Sequence, residues 1–393
     1  MKILYNTFND CSINFDTFFS KVDNSLTKNQ RNFLSDFYVA LISSNSCNFD
    51  KIATSLCKKH NEVKFDSILK RISRFLNNDR NNFHNLFDNI IKYILSNYKV
   101  AHEDNRVFIS FDHMFVKDKF TVFMLSLKIG KQGFPIYFKT FNGKKSVNNG
   151  DAFKLNNIKS SLIYVHNIIK AFNPNFNIVF LADRWFGNYF PLFKFIDKTL
   201  HDSFVFRCKD NFKVFFQPND ENHKVWLSIH DLPSLKYHSY FYTNLEFTKK
   251  KLLYNLTICK SDSHKERWFL ISNIDPTRAK KFYAYRFGGI ETIFKHQKSN
   301  GFYLEKTGIK ALHAFDNLYS LICIALCYCI GLGTSISKNS KMYKNIGFRI
   351  SKRNGKSYTR VLSLFHAGLR LFLIALNSPK YYNIPFRFIL YDV

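Results

Sequence analysis

The chain has 393 residues and carries 58 Lys and Arg against 29 Asp and Glu, a formal net charge of +29. Such a charge attracts a polyanion, either nucleic acid or an anionic membrane surface. An apolar content of 46% and an aromatic content of 18% exclude a disordered basic chain. The length allows two or three folded domains.

The cysteines and the N-terminus indicate the compartment. The eight Cys include no Cys-x-x-Cys pair, and the three in the apolar run Leu318 to Leu332 are predicted to pack in a core rather than bind metal. That run is too short to span a bilayer, and the first residues do not form a signal sequence. We therefore expect no membrane partner and a cytoplasmic protein with reduced thiols.

The first hundred residues are predicted to be helical, because apolar residues recur at spacings of three and four. The pair Phe49–Lys59 and Phe65–Leu76 has the size of a helix-turn-helix, and its second helix carries Lys70, Arg71 and Arg74. A plain helical bundle with a solvated basic face explains the same pattern. The predicted helices are Lys28–Ile42, Phe49–Lys59, Phe65–Leu76 and Asn82–Tyr98.

From Arg106 the apolar pattern becomes that of strands. Three strands are predicted as an antiparallel meander, followed by helix, strand, helix and strand up to Cys208. This βββαβαβ order is that of the ribonuclease H-like fold, a mixed α/β sheet of the retroviral-integrase type. The predicted elements are Val107–His113, Thr121–Ile129, Phe134–Phe141, Phe153–Phe172, Ile178–Ala182, Phe186–Leu200 and Phe204–Cys208.

Two aspartates stand at or near the ends of predicted apolar strands of this sheet. Asp112 follows Val107-Phe-Ile-Ser-Phe, and Asp183 follows Ile178-Val-Phe-Leu-Ala. A buried carboxylate without a partner costs several kcal/mol. In the predicted fold, the first and fourth strands are adjacent and parallel, so the two acids converge. Mg²⁺ is the natural ion to hold two such carboxylates together.

Residues 209–274 break the alternation of strands and helices. Their strand-like runs and polar turns predict an all-β insertion before the next helix. That helix has Asp275 at its N-cap and Pro276 at its first position. Beyond it we predict an apolar helix at Gly308–Ile330, a basic linker and a final helix at Tyr358–Leu376.

The helix after the insertion carries a third acid, Glu291. Lys295 and Lys298 follow four and seven residues on, which places the three side chains on one helix face. By itself this spacing fits a surface ion pair. Together with Asp112 and Asp183, it fits a site of three carboxylates that holds two metal ions for phosphodiester chemistry.

Three blocks of the chain resemble those of the DDE transposases. They are Val107-Phe-Ile-Ser-Phe-Asp-His, Phe180-Leu-Ala-Asp-Arg-Trp-Phe-Gly and Tyr283-x2-Arg286…Glu291-x6-Lys298. They are similar to the insertion-sequence group with a Tyr-Arg-Glu-Lys signature (the IS-four type), which has a β-strand insertion before the final Glu. The resemblance covers about residues 105–375.

The resemblance implies the roles of the site residues. Asp112, Asp183 and Glu291 would be the catalytic and metal-binding triad for Mg²⁺ or Mn²⁺, with two ions. Tyr283, Arg286 and Lys298 would bind phosphates at the transposon end. Lys295, on the helix face of Glu291, is also a predicted DNA-binding residue. Trp268 matches the insertion-domain Trp that stacks against a flipped base in this group; burial in the core of the insertion explains Trp268 equally well.

One departure from the family pattern concerns the third block. Four residues, not three, separate Arg286 from Glu291. In a continuous helix the additional residue turns Glu291 by about 100° relative to Arg286. The Gly288-Gly289 pair is expected to absorb it as a π-bulge or a helix break.

The resemblance implies a transposase that cuts transposon ends and joins the 3′-OH to target DNA. Its partners would be double-stranded DNA, as terminal inverted repeats and target, and a second copy of the chain. The protein would be associated with a prokaryotic nucleoid. A nuclease without strand transfer and a non-catalytic DNA-binding relic stay open. The expected domains are 1–100 (helical, DNA-binding), 101–208 and 275–335 (catalytic core), 209–274 (β insertion) and 336–393 (basic linker and C-terminal helical region).

Overall fold

The computed structural model describes residues 8–96, 105–130, 132–143, 153–217, 225–234, 238–247, 252–260, 266–337, 346, 348–353 and 356–377. Within them the chain is a mixed α/β protein with one large mixed sheet, as the sequence predicts. Lys338, Lys341 and Lys344 of the predicted basic linker lie outside the described residues, as does the end of the chain after Asn377.

Five helices open the chain. The first was not predicted, although its buried residues Cys11, Phe15, Phe18 and Phe19 follow helical spacing. The second begins at a capping box, in which Thr27 and Gln30 satisfy each other's backbone N–H groups. The helices are α1 (Phe8–Val22), α2 (Lys28–Ser44), α3 (Phe49–Leu56), α4 (Phe65–Asn77) and α5 (Phe83–Leu95).

The first five strands have the spatial order β3-β2-β1-β4-β5. The meander β1–β3 is antiparallel, and β4 and β5 run parallel to β1. The predicted adjacency of the first and fourth strands is therefore confirmed. Pro135 lies in β3, where an edge strand tolerates the missing N–H. The strands are β1 (Arg106–Val116), β2 (Phe120–Ile129), β3 (Gln132–Asn142), β4 (Asn177–Ala182) and β5 (Ser203–Arg207).

Two helices cover the face of the central strands that bears Phe111, Phe180 and Phe206. They are α6 (Leu155–Phe172) and α7 (Phe190–Lys198). The second was predicted to begin at Phe186, but a short 3₁₀ turn occupies Phe186–Asn188. Pro191 explains the difference, because proline fits only the first turn of an α-helix.

The strands of residues 209–274 extend the same sheet. From β5 the order continues β10-β9-β8-β6-β7, and β10 pairs antiparallel with β5. Hydrogen bonding therefore runs without interruption from β3 to β7. The strands are β6 (Lys213–Phe216), β7 (Val225–Ser228), β8 (Tyr240–Phe247), β9 (Leu252–Lys260) and β10 (Arg267–Ser272).

The opposite face of the central strands is covered by α8 (Pro276–Gly288). Asp275 caps it as predicted, since its side chain accepts a 2.9 Å hydrogen bond from the Thr277 backbone N–H. The helix ends at Gly288, and α9 (Ile290–Lys298) begins after Gly289. The expected interruption at the Gly-Gly pair is therefore a helix break.

The apolar helix α10 (Leu312–Ser337) begins and ends later than predicted. Its segment Leu312–Ser335 is long and apolar enough to cross a membrane, but 94% of its most apolar window is buried inside the protein. The buried Asn317 ties it to the N-terminal helices, since its side chain bonds the backbone of Leu76 and of Phe83. The three cysteines of α10 are buried, as expected for core packing.

The region after α10 differs from the prediction. A hairpin of β11 (Phe348–Arg353) and β12 (Lys356–Val361) precedes α11 (Leu364–Asn377). The helix was expected to start at Tyr358, which instead lies in β12. Tyr358, Thr359 and Val361 are residue types that favour strands, and this local preference explains the later helix start.

Candidate active site

Asp112 lies on β1, and Asp183 directly follows β4, the parallel neighbour of β1. The β1–β4 register pairs Ser110 with Leu181. Continuing both chains by two residues places Asp112 opposite Asp183. Side chains alternate along a strand, so both acids share the sheet face of Phe108 and Leu181, which α8 covers.

A tight turn after β4 positions Asp183. Its side chain accepts a 2.9 Å hydrogen bond from the Trp185 backbone N–H, and its carbonyl accepts one from Gly187. A Cβ on Gly187 would lie 2.0 Å from the Arg207 carbonyl oxygen. The glycine of the Phe180-to-Gly187 block therefore lets this turn pack directly against the end of β5.

Asp112 is a partly buried carboxylate in a charged neighbourhood. Its Oδ1 accepts a 2.8 Å hydrogen bond from the His113 backbone N–H. Burial raises the pKa of Asp112 to about 6; the Arg286 guanidinium opposes this shift, and the Asp183 and Glu291 carboxylates add to it. The position therefore favours a nearby cation.

Arg286 supplies positive charge between two of the acids. Its Nη2 donates to Asp112 Oδ2, and its Nη1 donates to Glu291 Oε1 at 2.9 Å. The Arg286 side chain is 5% exposed, whereas Glu291 is 44% exposed. Burial works against the charge of Arg286, but Asp112, Tyr283, Asp183 and Glu291 outweigh it and raise its pKa. The partner of Glu291 is therefore Arg286, not Lys295 as helix spacing suggested.

The break between α8 and α9 makes this arrangement possible. Gly289 lies against the sheet: a Cβ on Gly133 of β3 would lie 2.5 Å from the Gly289 carbonyl carbon, and one on Gly289 would lie 3.6 Å from Ser110 Oγ. The two backbones thus touch with no side chain between them. The break turns α9 so that Glu291 reaches Arg286 despite the additional residue.

Metal binding by the three acids stays a prediction. Among the described residues, no group of three or more His, Cys, Asp and Glu side chains is placed to hold a metal ion. The Arg286 guanidinium pairs with both Asp112 and Glu291. The donor set nevertheless fits a hard divalent cation, because it consists of carboxylate oxygens and already holds one positive group.

Tyr283 and Trp268 form an aromatic cluster instead of an exposed contact surface. Trp268 is 3% exposed and stacks on Phe287 with ring centroids 5.3 Å apart, while Tyr283 is 1% exposed and meets Trp268 edge-on at 5.1 Å. Burial raises the pKa of Tyr283 to about 12. Neither side chain faces solvent here. Trp268 is buried under α8 with Phe108 and Leu181 rather than in the core of the insertion, and its role toward DNA stays a prediction.

The remaining predicted DNA contacts are more accessible. Lys295 is exposed on α9, and Lys298 forms a 3.4 Å ion pair with Glu305. On α4 the three basic residues Lys70, Arg71 and Arg74 are exposed, and Arg71 lies 4.2 Å above the Phe33 ring. Their roles toward DNA stay predictions, as does the choice between a helix-turn-helix and a plain bundle.

Comparison with known proteins gives little sequence similarity. No family model matches the chain, and no curated protein matches it. Among solved structures, the chain is similar to a piggyBac transposase in a cryo-EM synaptic complex with hairpin DNA. That similarity has a TM-score of 0.45 and 14% identity, over 94% of this chain and 78% of the other.

Proposed function

We propose that this chain is a DNA transposase with a ribonuclease H-like catalytic core. The observation that carries the proposal is the nearness of Asp112 and Asp183: β1 and β4 are paired neighbours, and the Asp183 carboxylate contributes to the raised pKa of Asp112. Glu291 joins them through Arg286. The strand order β3-β2-β1-β4-β5 supports the core assignment, and the net charge of +29 suits a DNA substrate.

The proposed cofactor is Mg²⁺ or Mn²⁺, bound by Asp112 and Asp183 with Glu291 as the third ligand. When bound, such ions activate water and stabilise the leaving oxygen in phosphodiester cleavage. For Glu291 to serve as a ligand, Arg286 has to release it. The freed guanidinium would then be available for a DNA phosphate, as the resemblance to the Tyr-Arg-Glu-Lys group implies.

The proposed substrates are double-stranded DNA ends with terminal inverted repeats and a target DNA. The 3′-OH of a cut end would attack a target phosphodiester, and the pairing of two ends implies a homodimer in the complex. In this proposal, the exposed basic residues of α4 and Lys295 of α9 contact DNA phosphates.

The test is cleavage of a DNA that carries the element's terminal repeats, with Mg²⁺ or Mn²⁺. Asp112→Asn and Asp183→Asn should each slow cleavage by roughly a hundred- to a thousandfold, since a few kcal/mol of transition-state stabilisation is lost. Asp118→Asn is the matched control, because Asp118 is exposed in the β1–β2 turn with a positive φ that Asn tolerates. Full cleavage by the Asp112 or Asp183 variant would contradict the proposal.

The same assay separates the alternatives. A nuclease on this fold would cut without regard to terminal repeats and would give no joined products. A DNA-binding relic would bind the ends and leave them uncut with either metal. The Arg286 contacts to Asp112 and Glu291 are the observation that keeps the relic as a second candidate, because they satisfy these acids without a metal ion.

A further inference from the structure

The row of charged residues under α8 continues beyond Asp183. The β4–β5 register pairs Ala182 with Phe206, so the next residues, Asp183 and Arg207, lie opposite each other. Alternation along β5 places Arg207 on the same face as Val205, which packs under α8. Asp112, Asp183 and Arg207 therefore follow one another across three parallel strands.

Arg207 lines a cavity at this end of the sheet. The cavity has a volume of about 340 Å³, and its lining includes the buried residues Cys208 and Phe269. Its wall combines cations from the turn after β4, the end of β5 and the start of β10. The charged lining residues are Arg184, Arg207, Lys209, Arg267, Asp210 and Glu266, with His230 beside them.

The cavity carries a net positive charge, and an anionic ligand can take the place of the Glu266 carboxylate. The four Lys and Arg side chains outnumber the two carboxylates by two. Glu266 Oε2 accepts a 2.7 Å hydrogen bond from Arg207 Nη2, but Glu266 is 63% exposed while Arg207 is 18% exposed. An exposed ion pair contributes little, so an incoming anion can displace Glu266 from Arg207.

We propose that this cavity binds a backbone phosphate of the DNA strand that is cut. The neighbouring phosphodiester of the same strand would lie at Asp112 and Asp183. This inference rests on the proposed function and adds a binding site to it. Arg184 directly follows Asp183, so a strand lying along the row reaches the cavity next. Guanidinium groups bind phosphate through paired N–H donors, and Arg207 presents such a group at the end of β5 with its side chain 18% exposed.

The decisive measurement is DNA binding in EDTA, with a fluorescently labelled duplex bearing the terminal repeat. Arg184→Gln and Arg207→Gln should each weaken binding by about three- to tenfold and reduce the salt slope by about one. Glu266→Gln should tighten binding, because it removes the competing carboxylate. Arg207→Lys should fall between wild type and Arg207→Gln, since it keeps the charge and loses the paired donors.

Lys198→Gln is the matched control, since Lys198 is 69% exposed on α7, which covers the opposite face of the sheet. Thermal melting of every variant separates loss of folding from loss of binding. Wild-type affinity in both arginine variants would overturn the proposal, and so would weaker binding by Glu266→Gln. Binding in EDTA is measured separately from cleavage. A wild-type protein that binds DNA in EDTA but does not cut it with Mg²⁺ or Mn²⁺ would contradict the proposed function and leave this site standing.

Discussion

Phe111 and Asp112 are neighbours in the chain, but they lie on opposite faces of the sheet in opposite surroundings. Phe111 is fully buried, with the rings of Phe186 and Phe206 at centroid distances of 4.7 and 5.5 Å. Asp112 lies under the α8–α9 break, among carboxylates and one guanidinium. One face of the same strand is a packed aromatic core, and the other carries charges that satisfy one another.

The difference follows from how each face is covered. On the Phe111 face, α6 and α7 supply apolar side chains that join the main core. On the Asp112 face, α8 ends at Gly288, so the cluster of Phe108, Leu181 and Val205 stops short of the strand ends. Polar groups fill the edge that remains. Substitutions on the first face should change mainly stability, and those on the second mainly function.

The largest expected effect on stability belongs to Phe111→Ala. Removing a fully buried phenyl ring should lower the free energy of unfolding by about 3–5 kcal/mol, because the transfer energy is lost and a cavity stays behind. Asp112→Asn should change it by about 1 kcal/mol or less, since Arg286 keeps Glu291. Urea unfolding of both variants checks the contrast. Equal losses would show that the two faces do not divide stability from function.

Arg286→Met is expected to be second in size. It leaves Asp112 without its buried counter-charge, which should cost about 3 kcal/mol in EDTA. If the acids bind a divalent cation, Mg²⁺ should stabilise this variant more than wild type, because Arg286 no longer competes. Urea unfolding with and without Mg²⁺ measures both effects.

The control for that experiment is Arg31→Met, whose ion pair with Asp16 is more exposed than that of Arg286, with side chains 21% and 32% exposed. Arg31→Met should lower the free energy of unfolding by about 1 kcal/mol or less, and this change should not depend on Mg²⁺. An Arg286→Met protein as stable as wild type in EDTA would show that the guanidinium does not balance these acids. A loss that Mg²⁺ leaves unchanged would count against the proposed metal site.

Sequence patterns could predict Asp112 and Asp183 because the information is local. Each acid follows a run of apolar strand residues, and parallel neighbouring strands bring the two acids together. The predicted strand end at Asp112 was wrong, because β1 continues to Val116, whereas Asp183 directly follows β4 as expected. The break at Gly288-Gly289 was also predictable, since glycine pairs interrupt helices. These features depend on residues a few positions apart.

The contact between Arg286 and Asp112 could not be predicted in the same way. The two residues are 174 positions apart, and their meeting depends on the angle of the helix break. The burial of Trp268 and Tyr283 is a similar case. An aromatic residue on a strand or helix has the same local pattern whether its face meets solvent or another element, and only the packing of α8 on β10 decides between them.

The contact of Gly133 with Gly289 gives the third prediction. In Gly133→Ala the new methyl group would lie 2.5 Å from the Gly289 backbone, whereas in Gly289→Ala its nearest neighbour would be the Tyr285 carbonyl oxygen at 3.1 Å. Gly133→Ala should therefore push α9 away from the sheet and cost about 1–3 kcal/mol. Cleavage should fall further than stability, because Glu291 moves with α9.

Gly289→Ala serves as the comparison for Gly133→Ala, with a smaller loss expected in both measurements. Unfolding free energies and cleavage rates of the two variants give the ratio of functional to structural loss. If Gly133→Ala cuts DNA at the wild-type rate, the position of α9 against β3 does not matter for the acids.

The smallest expected effect concerns His296, a buried residue on the same helix as the exposed Glu291. Neither ring nitrogen of His296 has a hydrogen-bond partner in the described part of the chain. Burial, together with His366 and Lys295, lowers the pKa of His296 to about 3. The unfolded chain, with a histidine pKa near 6.5, therefore takes up a proton first as the pH falls. The contribution of His296 to stability is complete above that pH and is lost below it.

This linkage should cost wild type about 1 kcal/mol between pH 7.5 and pH 5.5. In wild type the ring centroids of His296 and Phe365 are 4.5 Å apart. His296→Phe keeps a ring against Phe365 and removes the titrating group. Between pH 7.5 and pH 5.5, the variant should therefore lose about 1 kcal/mol less free energy of unfolding than wild type does. Urea unfolding at the two pH values gives the difference. If both proteins lose the same stability between the two pH values, His296 takes up its proton in the folded state as readily as in the unfolded chain. The buried side of α9 would then accept a charge, as its exposed side with Glu291 does.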